Sequence, residues 1–109
     1  MDDIKLVRLQ SGVDIICEYI NVGNTIFIKK PMTVYMDYED DESNLIMRHW
    51  LPIELISIDE TVMDAKDVLC ICEPTEQLIQ FYTNIIEEEL EENELDSIDD
   101  IIDNNTKLH

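Results

Sequence analysis

The sequence is poor in the residues from which catalytic and nucleotide-binding devices are usually made. Two glycines in 109 residues are too few for a loop whose backbone closes around a phosphate. No GxSxG elbow and no HExxH helix occurs, and the two histidines are His49 and the last residue, His109. Exposed carboxylates keep ordinary pKa values, so acid clusters alone do not amount to acid–base chemistry. We therefore expect a non-enzymatic protein without a cofactor.

Basic residues are also scarce. Seven Lys and Arg stand against 26 Asp and Glu, a formal net charge of -19, and such a field repels polyanions and anionic lipid at long range. Any nucleic acid would have to meet a local basic patch. No apolar run approaches the roughly 18 residues of a membrane span, and Met1-Asp2-Asp3-Ile4-Lys5 lacks a basic n-region; the expectation is a soluble, cytoplasmic protein with no membrane partner. The three cysteines, Cys17, Cys70 and Cys72, are an odd number inside apolar runs, which predicts core packing in a reducing compartment. Cys70-x-Cys72 has one intervening residue, and no His or further Cys lies at zinc spacing. Asp37, Glu39, Asp41 and Ser43 alternate like the start of a calcium loop, but Glu42 stands where Gly is needed and Arg48 where a bidentate Glu is needed. No metal site is expected.

What the sequence does hold is strand periodicity. Ile4 to Leu9 reads as a first strand ended by Gln10-Ser11-Gly12, and Val13 to about Ile20 as a second whose Val13, Ile15, Cys17 and Tyr19 share one parity. Asn21-Val-Gly-Asn24 turns the chain into a long third strand with Ile26, Ile28, Met32, Val34 and Met36 on one parity. Pro31 predicts a bulge or edge segment, since it cannot donate to a ladder. The acid run in Tyr38 to Asn44 predicts a solvated loop; Leu45 to Leu51 reads as strand four, with Ile53 to Ile58 a possible extension past Pro52. Asp59 to Asp67 reads as an acidic connection and Val68 to Cys72 as strand five.

Glu73-Pro-Thr-Glu76 is a helix-start pattern, with Pro at a first-turn position and acids beside the positive end of the dipole. Leu78, Phe81, Tyr82, Ile85 and Ile86 give the helix one apolar face, to be covered by the sheet or a neighbouring subunit. Residues 73–109 hold 12 acids and one Lys, a net of -11, against 14 acids and six basic residues in 1–72, a net of -8. The expected organisation is one domain over 1–92, with its helix at about 74–92, and an acidic, flexible tail over 93–109. The fold class is all-β with an added C-terminal helix: a strongly bent five-stranded antiparallel sheet, or small open barrel, whose edges pair between subunits into a cyclic homo-oligomer.

The run Leu9-Gln-Ser-Gly12, the alternating strand after it, the Asn-containing turn and Thr25-Ile-Phe-Ile28 resemble the first motif of Sm-like (LSm) proteins. Ile4-Lys-Leu-Val-Arg-Leu-Gln-Ser-Gly12, Lys30-Pro31 with Val34, and Glu73-Pro-Thr-Glu-Gln-Leu78 with Phe81-Tyr82 are similar to a family of short Sm-like proteins of marine cyanophages. The resemblance covers about residues 4–90. It implies protomers paired edge to edge into a ring with RNA around the pore, the turn Asn21 to Asn24 facing that pore and Asn24 at the base-contacting position, in the cytoplasm of a host cell.

Lys29, Lys30, Arg48, His49 and Trp50 combine cations with an aromatic ring, the pairing that holds phosphates and stacked bases. The same residues also read as solvent-facing lysines, an ion-paired arginine and a core or interface tryptophan. Two functions follow as expectations: a ring that binds RNA or single-stranded DNA, with Asn21 and Asn24 as further contacts, or an acidic scaffold whose helix and tail engage a basic protein.

Overall fold

The chain divides into two compact units, Met1–Thr75 and Glu76–His109. The computed structural model describes residues 3–39 and 41–90. Asp40, the end of the expected helix and the acidic segment over 93–109 lie outside the described residues.

The first unit is a sheet of six antiparallel strands: β1 (Ile4–Leu9), β2 (Asp14–Val22), β3 (Thr25–Glu39), β4 (Glu42–His49), β5 (Glu60–Asp64) and β6 (Val68–Cys72). Their order is β4-β3-β2-β1-β6, with β5 also on β3. The expected count of five is therefore one short. The added strand, β5, lies inside the stretch read as an acidic connection. Thr61 and Met63 pair with Ile28 and Ile26 and are half-buried, while Glu60, Val62 and Asp64 are exposed, so its acids stay solvated and cost the ladder little.

The sheet is open. β5 and β6 each pair with a different strand and are joined by a 3-10 turn, Ala65–Asp67. The Asp64 carboxylate accepts the Lys66 N–H at 3.0 Å and caps the turn. The Ala65 N–H donates to the Asn24 carbonyl and the Gln10 N–H to the Asp67 carbonyl, each at 2.9 Å, so the turn is tied to both the β2–β3 hairpin and the end of β1.

The fifteen residues of β3 serve two partners along one edge. β5 pairs with Thr25–Lys29 and β4 with Met32–Glu39. The changeover falls at Lys30-Pro31, as expected from a residue without an N–H. There Lys30 is left-handed, with φ 50°, and the β2–β3 register shifts: Glu18 faces Lys29 but Ile16 faces Met32. Three steps on β3 thus match two on β2, a bulge that moves subsequent side chains to the other face. Ile26 and Ile28 join Val7, Leu9, Ile15, Cys17 and Tyr19 in the core. Met32 and Val34, of the same numerical parity, lie on the opposite face with Ile16, where all three are also buried. Parity alone places these residues on one face; the bulge separates them.

Two turns differ from expectation. Val22 pairs with Thr25, leaving a two-residue turn in which Gly23 has φ 64°, the positive angle that a first central hairpin residue needs. The acid run over Tyr38 to Asn44 is part of a hairpin, since Tyr38 pairs with Ser43 and Glu39 with Glu42; at a tip in water the repulsion is screened and the ladder prevails. Ile53 to Ile58 does not extend β4 but forms turns, with the Leu55 N–H on the Pro52 carbonyl at 2.8 Å.

The second unit contains helix α1, described over residues 76–90. It begins after the expected start: Pro74 is outside it and Thr75 holds the N-cap position, which favours a hydroxyl side chain. Tyr82 and Ile86 are buried and Phe81 is exposed. Among the described residues no helix is long and apolar enough to cross a membrane.

Because a left-handed non-glycine residue costs ~1–2 kcal/mol, Lys30→Gly should stabilise the protein by about 0.5–1 kcal/mol after the added freedom of the unfolded chain is subtracted. A raised urea midpoint with unchanged slope is the expected result. Lys30→Val should lower it.

Candidate nucleic-acid interface

The break in β3 brings together most of the cationic and aromatic residues expected to touch a polyanion. β4 ends at His49 opposite Met32, and the chain leaves with the Trp50 N–H donating to the Pro31 carbonyl at 3.3 Å. It returns at Asp59, whose carbonyl accepts the Lys30 N–H at 2.7 Å, and then enters β5 with Glu60 opposite Lys29. The two backbone groups exposed by the bulge are thereby satisfied by the two ends of one loop. Lys29, Lys30, Arg48, His49 and Trp50 surround that closure.

Their environments differ. Lys29 stands in a cross-strand row between Glu18 and Glu60, with its Nζ 3.9 Å from Glu60 Oε1. His49 Nδ1 lies 3.9 Å from Asp59 Oδ2, too long for a hydrogen bond. Arg48 is exposed and opposite Thr33, whose hydroxyl donates to the Arg48 carbonyl at 3.2 Å; among the described residues its guanidinium forms no ion pair. Arg48 and His49 are consecutive strand residues and project to opposite faces. Trp50 is half-buried against the core of Val7, Ile15 and Ile28, so part of the indole is committed to packing.

Asn21 and Asn24 are not part of this cluster. Asn21 pairs with Ile26 and Asn24 sits at the hairpin tip, three to five residues along β3 from Lys29, roughly 10–17 Å at the strand rise. Both are exposed.

Sequence reading passed over Phe27. It shares a face with Lys29 and forms a row with Ile20 and Val62, all three substantially exposed. Beside it Phe27, Lys29, Ile58, Glu60 and Val62 line a shallow groove of about 320 Å³. The available signal was its parity, opposite to Ile26 and Ile28.

Two other cations are paired away from this region. Arg8 donates from Nε and Nη2 to the Asp14 carboxylate at 2.7 and 2.9 Å, and Lys5 pairs with Glu73. Arg8 holds the Asp14 carboxyl below its usual range, while Glu73 raises the Lys5 ammonium. Neither protein-family profiles nor curated proteins yield a match to this sequence.

Two outcomes follow. Trp50→Ala should cost about 2 kcal/mol, less than a fully buried indole would, and an unchanged urea midpoint would place the ring outside the core. Since the Asp14 pKa is depressed in the folded state, its pairing stabilises fully above the ordinary Asp value near ~4 and fades as pH falls through the lower folded value. The stability gap between wild type and Asp14→Asn should therefore be constant from neutral pH down to about 5 and close in stronger acid. A gap that persists in strong acid would assign it to packing.

Proposed function

We infer that the chain is a non-enzymatic, Sm-like ring-forming protein that binds RNA or single-stranded DNA through the surface around the β3 break. The observation that carries the reading is the grouping of cations and aromatic rings along the rim of one closure: Lys29, His49 and exposed Phe27 share one face, with Arg48 and half-buried Trp50 on the other side of the rim and Lys30 at the bulge between them. Cations next to an aromatic surface suit phosphates and stacked bases. β4 and β6 are the terminal strands of the sheet, so head-to-tail pairing of those edges supplies a route to a closed ring. Repetition of one modest site around a ring raises avidity without raising single-site affinity.

A second reading is favoured by the charge. Lys29 is flanked by Glu18 and Glu60, and the whole chain carries -19; these suit an acidic scaffold for a basic protein.

Fluorescence anisotropy of labelled U-rich RNA and mixed DNA single strands, at low and near-physiological salt with mass by light scattering, separates the two. The expected result is saturable, steeply salt-dependent binding by an oligomer, lost in Lys29→Glu and Arg48→Glu. A monomer at micromolar concentration overturns the ring. Binding unaffected by both substitutions rejects this surface. No binding at low salt, together with capture of a lysine-rich peptide that requires residues 93–109, establishes the scaffold.

A further inference from the structure

Cys70 and Cys72 are both exposed and both free, contrary to the expected core packing, which only Cys17 follows. They lie two residues apart on β6, so strand alternation points them to one face. β6 is an edge strand that pairs only with β1, where Cys70 faces Arg8 and Cys72 faces Leu6. On one face of one strand, the two side chains leave Cα atoms separated by roughly 6.6 Å. Cys17 is fully buried, whereas β6 exposes Leu69 and Ile71 together with both thiols, so Cys70 and Cys72 are open to solvent although Cys is ordinarily a buried residue type.

We propose that Cys70 and Cys72 form a two-thiolate chelate for a soft, low-coordinate cation of the copper(I) class. Thiolates select soft metals, and the number of donors narrows the choice. Among the described residues no group of three or more His, Cys, Asp or Glu is placed to hold a metal. Tetrahedral zinc and iron–sulfur clusters need more protein ligands than two, whereas a linear two-coordinate ion needs no more. A linear sulfur–metal–sulfur unit spans about 4.6 Å, twice a metal–thiolate bond of ~2.3 Å. Side chains two strand residues apart, with Cα atoms roughly 6.6 Å distant, can converge to that span. The same Cα separation is near the upper limit for a disulfide, so the geometry favours a bridging ion over a sulfur–sulfur bond.

The step balances without a redox partner. One monovalent cation and two thiols give an anionic bis-thiolate and two protons released to solvent. Arg8, in the same cross-strand row as Cys70, faces the new negative charge, with Asp14 beyond it on β2. Glu73 follows Cys72 and pairs with Lys5. Edge pairing of β6 would engage its backbone and not this side-chain face, so the inference does not rest on ring formation.

The test is an anaerobic competition titration of the full chain with copper(I) against the chromophoric chelator bathocuproine disulfonate. One equivalent per chain is expected for wild type and for Cys17→Ser, with at least about 100-fold weaker binding in Cys70→Ser and in Cys72→Ser. Two displaced protons predict an affinity rise of up to about 100-fold per pH unit while both thiols are protonated, against about tenfold for a single thiol. Far-UV circular dichroism checks folding of each variant. N-ethylmaleimide on native protein provides a second route: it should label Cys70 and Cys72, abolish copper uptake and spare Cys17, whose thiol burial pushes up to about 12. No uptake by wild type, uptake unchanged in either serine variant or after alkylation, or half an equivalent with doubled mass would each overturn the intrachain chelate.

Discussion

The missing N–H of Pro31 is the constraint around which the sheet is arranged. A fifteen-residue strand cannot keep one continuous partner across a position that donates nothing, and here the edge of β3 is divided between β4 and β5 at that point. The bulge that absorbs the mismatch strains Lys30 and reverses the faces of the residues beyond it. One strand thus contributes Ile26 and Ile28 to one apolar layer and Met32 and Val34 to another. The loop that spans the changeover has its ends tied to Lys30 and Pro31 by backbone hydrogen bonds, and the cation cluster is a by-product of that closure.

The acidity of the chain is accommodated by position. No charged residue is buried among those described. Glu39, Asp41 and Glu42 sit at a hairpin tip, Glu60 and Asp64 are exposed on β5, and Asp64 caps a turn. Desolvating even one carboxylate without a partner would cost far more than tip repulsion in water, so the sheet tolerates this composition by keeping its acids at turns, ends and outer faces.

Much of the architecture was legible in the residues. The bounds of β1, the core parity of Ile15, Cys17 and Tyr19, the glycine turn, the irregularity at Pro31 and the helix all follow from local patterns that tertiary structure did not override. The misses have a common cause. Apolarity is what marks a strand in a sequence, and a solvent-facing strand such as β5 or a charged hairpin tip carries little of it; Thr61 and Met63 are the inward-facing residues of β5. Cys70 and Cys72 looked like core because β6 reads as a continuous apolar run, yet an edge strand exposes what a central strand buries. Of the candidate interface, the sequence showed the residue types but not their grouping, because Lys30 and Trp50 meet only through the loop closure and Asn21 and Asn24 lie at the far end of a hairpin.

The pairing of β1 with β6 has a consequence for how the chain reaches this state. β2, β3 and β4 are successive hairpins and zip from local turns, but Leu6 meets Cys72 only after nearly the whole sheet sequence is available. Closing so long a loop is entropically costly and slow. During synthesis on a ribosome, the outer edge of β1, with Ile4, Leu6, Val7 and Leu9, waits unpaired for the final strand, which is the period when strand edges recruit other chains. The net -8 of residues 1–72 then acts on the nascent protein before the whole charge acts on the folded one: mutual repulsion keeps neighbouring unfinished chains apart until β6 arrives to cover that edge.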